Sequence, residues 1–189
     1  MRDRLGIEEY RDELLGLVGR LTETERVPLA EASARVLAQP VTAAAAVPVF
    51  ANSAMDGFAL READRRLGAE LRVVAVVVAG SSLDPGLAPG ECVRIMTGAP
   101  LPSQAEAVVP VELTEESGGM VRIVEEPGDK THVRGAGEDF LAGAEVLPAG
   151  LQLGARSISV AAACGRDEVT VVRRPRVAVV ATGDELRPA

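Results

Sequence analysis

The chain has 189 residues, 47% hydrophobic and 25% charged, a globular composition long enough for one large domain or two small ones. Its net charge of −8 and pI of about 4.8 speak against a broad nucleic-acid footprint, which needs clustered positive charge. Aromatic residues make up only 2% and Trp is absent, so Val, Leu and Ala must fill the core through many small contacts.

The start, "MRDRLGIEEY", has no signal-peptide core. Ile7, Tyr10, Leu14, Leu17, Val18 and Leu21 recur every three or four residues and predict an amphipathic helix. Glu8 and Glu9 suit its N-terminal dipole. A second, shorter helix is expected over 30–38, stopped by Pro40. From Val41 to about Gly143 the pattern changes to short apolar runs broken by glycine and proline. "LRVVAVVVAG", "GECVRIMTGAPLP", "AEAVVPVEL" and "GGMVRIVEEPG" read as strands of a compact β domain, a sandwich or partial barrel. "DPGLAPGE" and "ESGGM" are turn signals. "ARSISVAAACG" reads as a helix with Gly165 as its C-cap, and "DEVTVVRRP" as another strand. The last stretch, "RPRVAVVATGDELRPA", reads as a buried strand and glycine turn of the kind that opens an α/β domain.

No apolar stretch approaches the ~18 residues of a membrane span; the longest lies around Val73 to Ala79. A soluble, cytoplasmic protein is expected. Cys92 and Cys164 lie far apart in apolar stretches and read as reduced core cysteines, which disfavours a zinc site or a disulfide framework. His132 is the only histidine, so a Ser-His-Asp or His-ligated metal mechanism would rest on it alone. Lys130 is the only lysine, and the arginine bias runs along the whole chain rather than marking a binding device.

Four polar clusters share one form, a small-residue turn carrying an acid or a hydroxyl: "NSAMDGFA", "RIMTGAPLP", "VRGAGEDF" and "VVATGDEL". Glycine-rich turns let backbone N–H groups approach an anion, and neighbouring carboxylates suit Mg²⁺, which prefers oxygen and bridges to substrate phosphates. Asp56, Asp139, Glu185 and the Thr97 hydroxyl have the chemistry for such a site. Each turn alone is weak evidence, because Asp-Gly is a common turn dipeptide.

In order and spacing, the four together resemble the molybdopterin molybdenumtransferase (MoeA) family, to which the gephyrin E domain is related. "PVFANSAMDGFA" resembles the Ser-Ala-Met-Asp-Gly signature, and "GECVRIMTGAPLP" with "AVVPVE" the Ile-Met-Thr-Gly-Ala segment. "VRGAGEDF" followed by "GAEVLPAGLQLG" resembles the Gly-Glu-Asp segment, and "PRVAVVATGDEL" the start of the molybdopterin-binding domain. One departure is Gln104-Ala105-Glu106, where the family has Gly-Ala-Asp.

The resemblance implies a multidomain α+β fold in four pieces. An N-terminal helix covers 1–22 and packs on the molybdopterin-binding domain in the full protein. A small, discontinuous α/β domain covers 23–42 and 144–174, and a β domain, 43–143, is inserted into it. Residues 175–189 begin a molybdopterin-binding domain that is cut off at its first strand. The resemblance further implies the last step of molybdenum cofactor assembly, insertion of molybdenum from molybdate into adenylylated molybdopterin with release of AMP. It brings a Mg²⁺ requirement, a homodimer, and the molybdopterin adenylyltransferase as upstream donor. Carried over residue by residue, Asp56, Thr97, Asp139 and Glu185 are catalytic, with Asp56 and Asp139 as candidate Mg²⁺ ligands. Ser53, Arg134, Thr182 and Asp184 bind substrate. The alternative function is a scaffold of the gephyrin type without catalysis.

Overall fold

The computed structural model describes residues 6–180, 182 and 183. In chain order the elements are α1 (Ile7–Leu17), β1 (Thr24–Pro28), β2 (Val41–Thr42), β3 (Asn52–Ser53), β4 (Gly57–Leu60), β5 (Glu70–Val77) and β6 (Glu91–Ile95). There follow β7 (Ala107–Pro110), β8 (Thr114–Ser117), β9 (Met120–Ile123), β10 (Val133–Arg134), β11 (Glu145–Leu147), α2 (Ala155–Ala163) and β12 (Glu168–Val172). The described residues divide into two compact units. One takes those within Met1–Val41, Leu147–Ala162 and Asp167–Ala189, the other Thr42–Val146 with Ala163–Arg166.

The second unit is built on a six-stranded sheet of order β7-β4-β6-β5-β9-β8. Only β5 and β6 run parallel, joined by the long 78–90 connection that a parallel pair requires. β4 and β7 are buried at every position, which is why "GFAL" and "AVVP" show no polar alternation. Successive residues of these strands serve two cores. Phe58, Leu60, Cys92, Val109, Val121 and Ile123 pack on one face, and Ala59, Val77, Val93, Ile95, Ala99 and Val108 on the other. Arg94 of β6 is ion-paired with Glu116 of β8. Those strands stand three places apart, about 14 Å in a flat sheet, so the pair requires the sheet to curl into a half-barrel. The two ends of this unit are hydrogen-bonded to each other, Ala43 N donating to Ala144 O at 2.8 Å and Gly143 N to Ala43 O at 2.9 Å.

Both cysteines are buried thiols, as their apolar contexts predict. Desolvation, with Glu116 and Glu91 adding, pushes the Cys92 thiol up to about 12. Since the thiolate is the nucleophile, a thiol reagent at neutral pH should leave Cys92 unlabelled in the folded chain and label it after denaturation. Labelling at equal rates in both states would contradict this packing.

In the first unit β1 and β12 pair antiparallel, Val27 opposite Val169. α2 forms as predicted and is followed by Gly165 at φ 77°. The helix expected over 30–38 does not form. Residues Leu29–Glu31 make a single 3-10 turn, Ala34 is left-handed at φ 59°, and Val36 and Leu37 bridge to Gln152 and Val171. Apart from Arg35 N, which bonds to Ala32 O, the bonded backbone groups of 34–38 pair with 150–153 and 170–172, so tertiary pairing overrides local propensity. Nor do the described residues after β12 form the expected buried strand. Residues 173–180 carry no ladder, and Val179 is 92% exposed. α1 forms, with no buried residue along its length.

Candidate functional site

The "NSAMDGFA" stretch crosses from β3 through a turn into β4, and its backbone is fixed on three sides. Ser53 N donates to Ala99 O at 3.1 Å while Gly98 N donates to Ser53 O at 2.8 Å. Ala54 N donates to His132 O at 2.9 Å, and Val111 N to Asp56 O at 3.1 Å. Ser53 is buried, and its hydroxyl caps the turn by donating to Met55 O at 2.6 Å. Gly57 is required by space. A Cβ there would lie 2.2 Å from Val109 O on β7.

The Asp56 side chain is therefore aimed by its backbone across β4 towards the turn after β6. Thr97 meets it with both donors, N at 2.7 Å and Oγ1 at 2.8 Å, and both bonds fall on Asp56 Oδ1. Gly98, at φ 78°, supplies the left-handed turn that presents Thr97. The Thr97 amide and then its hydroxyl hold the Asp56 carboxyl below the usual carboxylate range; burial opposes them, and the positive charge of Arg94 adds a lesser lowering effect. A depressed folded-state value gives stability that is present above the ordinary carboxylate range and lost as pH falls through the folded-state value. In an acid titration followed by NMR, the Thr97 amide should report a midpoint below that of an unperturbed aspartate. A midpoint at or above it would contradict the bonded pair.

A second polar cluster, this one an ion pair, is set by β10. Val133 faces Ser53 and Arg134 faces Asn52, so Ser53 adjoins both clusters. Arg134 Nη2 donates to Asp139 Oδ2 at 2.8 Å, and Gly135 N donates to Glu138 Oε2 at 2.9 Å. Asp139 N is bonded to Val47 O at 2.9 Å. Ser53, Asp56, Thr97, Arg134 and Asp139 thus all belong to the second unit. Thr182 is exposed, without regular structure, and belongs to the first. Asp184 and Glu185 lie outside the described residues.

Among the described residues no cluster of three or more His, Cys, Asp or Glu could cage a metal ion. What the site offers is the second oxygen of Asp56 and the remaining oxygen of Asp139. Either carboxylate, with waters and substrate phosphates, has the chemistry to hold Mg²⁺ in the usual manner of this ion, rather than in an all-protein site.

Two features were not readable as site elements. Arg94 lies inside the apolar strand "ECVRI", and its charge at a half-buried position was the available signal. His132 sits at φ 52°, and its carbonyl holds the Asp56 turn through Ala54; no sequence pattern announces this. The unusual Gln104-Ala105-Glu106 loop is anchored by two of its own side chains. Gln104 Oε1 accepts from Leu87 N at 3.1 Å and Glu106 Oε2 from Glu62 N at 2.9 Å. No helix among the described residues is long and apolar enough to cross a membrane.

Comparison with known proteins agrees with this architecture. The family model described as "MoeA N-terminal region (domain I and II)" matches residues 5–165. The molybdopterin molybdenumtransferase of Nostoc sp. is 42% identical over 169 residues, covering 87% of this chain and 39% of that protein. Molybdopterin molybdenumtransferase 2 of Mycobacterium tuberculosis is 42% identical over 166 residues, covering 85% and 41%. The crystal structure of the molybdopterin biosynthesis moeA protein from Pyrococcus horikoshii superposes with a TM-score of 0.77 at 29% identity, over 86% of this chain and 45% of that one. The chain therefore spans less than half the length of these relatives. Matched by the family model over most of its length and sharing the fold of a solved member, the chain belongs to the MoeA N-terminal region family.

Proposed function

We propose that the protein carrying this chain inserts molybdenum from molybdate into adenylylated molybdopterin and releases AMP. The reading is supported by the family and by the names of its relatives. The observation that carries it is the Asp56–Thr97 pair. It is an ionised carboxylate with one oxygen bound twice by a threonine and the other free of protein donors among the described residues. Such a group positions a hydrated cation or an ordered water beside a polyanionic substrate. Mg²⁺, when bound, neutralises phosphate and molybdate charge that the carboxylate would otherwise repel. Ser53 shapes the turn behind Asp56, while Arg134, held by Asp139, offers a guanidinium to a phosphate or oxyanion. By the family resemblance, Thr182 and Asp184 are assigned to substrate binding and Glu185 to catalysis. The donor is the molybdopterin adenylyltransferase, the assembly a homodimer and the location cytoplasmic.

Residues 1–189 alone do not turn over in this reading, since they cover only 39–41% of the length of the first relatives. The test is genetic. In a bacterium lacking its own molybdopterin molybdenumtransferase, the protein at the length of its relatives should restore a molybdenum enzyme's activity, and residues 1–189 should not. No restoration by the longer protein, when it is soluble and expressed, would overturn the proposal.

A further inference from the structure

On β6 a charged residue interrupts the buried series Cys92, Val93 and Ile95. Arg94 lies directly opposite Phe58 of β4, its guanidinium carbon 5.8 Å from the ring centroid, within the range of a cation–π contact. Its far side is ion-paired with Glu116. In the β4–β6 ladder Phe58 faces Arg94 and Gly57 faces Ile95, so Asp56 stands one step further on. Asp56 lies two residues before Phe58, in the bend that leads into the ladder, and so is diagonal to Arg94 in register. Diagonal positions are about 7–8 Å apart and within reach of a long side chain. One guanidinium is thus hydrogen-bonded to Glu116 and stands diagonal in register to Asp56. Asp56 accepts its hydrogen bonds from Thr97.

We propose that Arg94 is a positioning residue for the candidate site: braced on Phe58, its charge holds the Asp56 carboxylate in the orientation that meets Thr97. The proposal rests on reading Asp56 as the functional acid. It goes further in naming what keeps that acid in place. The positive charge of Arg94 adds, after the Thr97 hydrogen bonds, to what holds the Asp56 carboxyl below the usual carboxylate range.

Amide hydrogen exchange and NMR shifts at Thr97 in the 189-residue chain provide the test, with Arg94→Met, Arg94→Lys and Glu116→Gln compared. Arg94→Met removes the charge, and Thr97 exchange should quicken about three- to five-fold, the weight of an opposite-charge cross-strand pair. Arg94→Lys keeps the charge and should restore the wild-type rate. Glu116→Gln breaks the ion pair but leaves Arg94 in place, so Thr97 should be unaffected although the melting temperature falls as it does in Arg94→Met. In the unaltered chain, added salt should quicken Thr97 exchange, because the pair is exposed enough to be screened. Equal quickening in Arg94→Met and Glu116→Gln would make Arg94 a purely structural partner and overturn the proposal. So would failure of the lysine variant to rescue, or a salt-independent Thr97 in the unaltered chain. The readout needs no turnover, so it stands or falls separately from molybdenum transfer.

Discussion

Gly57→Ala should be among the most destabilising single substitutions in the β unit. The added methyl would sit 2.2 Å from Val109 O and 2.9 Å from Val109 C, both backbone atoms of the neighbouring strand. No side chain can move aside to admit it, so β4 must shift from β7, with which it pairs from Gly57 to Leu60. Overpacking typically costs about 1–3 kcal/mol, and a backbone clash in a strand flanked on both sides belongs at the upper end. In a chain of this length about 3 kcal/mol lowers the melting temperature by roughly 6–12 °C. The loss should reach the site too, because Asp56 is carried on the same turn. A thermal melt of Gly57→Ala within a degree or two of the unaltered chain would mean that β4 and β7 are not so closely apposed.

Asp56→Asn should have the opposite profile, a large loss of activity with little change in melting temperature. The amide oxygen of Asn can still accept from Thr97 N and Oγ1, which now lie 2.7 and 2.8 Å from the carboxylate. The turn also keeps its backbone bonds to His132 and Val111. Only the charge is lost. If that charge positions a cation or an ordered water, turnover should fall by about 10²-fold or more, the usual weight of a positioned catalytic group. If Asp56 served only the turn, Asn would serve nearly as well. An active variant with an unchanged melt would return Asp56 to that lesser role.

Asp56, Thr97, Arg134 and Asp139 were legible as candidates because each sits in or beside a short turn of small residues with a distinctive order along the chain. That Asp56 meets Thr97 was not legible. The two are brought together because β4 and β6 are sheet neighbours although β5 lies between them in sequence, and non-local pairing leaves no mark in a local pattern. The Asp-Gly dipeptide itself pointed to a turn, whereas Gly57 is the first residue of a strand and is needed for close approach. The alanine-rich stretch near Ala30 carried helical propensity, but its carbonyl and amide groups are claimed by residues far along the chain. The valines at 177, 179 and 180 carried strand propensity, and among the described residues they have no partner strand. Propensity of that kind reflects side-chain packing on a sheet and makes no strand without one.

The most direct measurement is molybdenum transfer in vitro by the protein carrying this chain at the length of its relatives, supplied with adenylylated molybdopterin, molybdate and Mg²⁺. The account predicts that molybdenum enters the cofactor and AMP appears in equal amounts, and that Asp56→Asn abolishes both while the protein stays folded. AMP release without molybdenum incorporation, or full transfer by the Asp56→Asn variant, would contradict it.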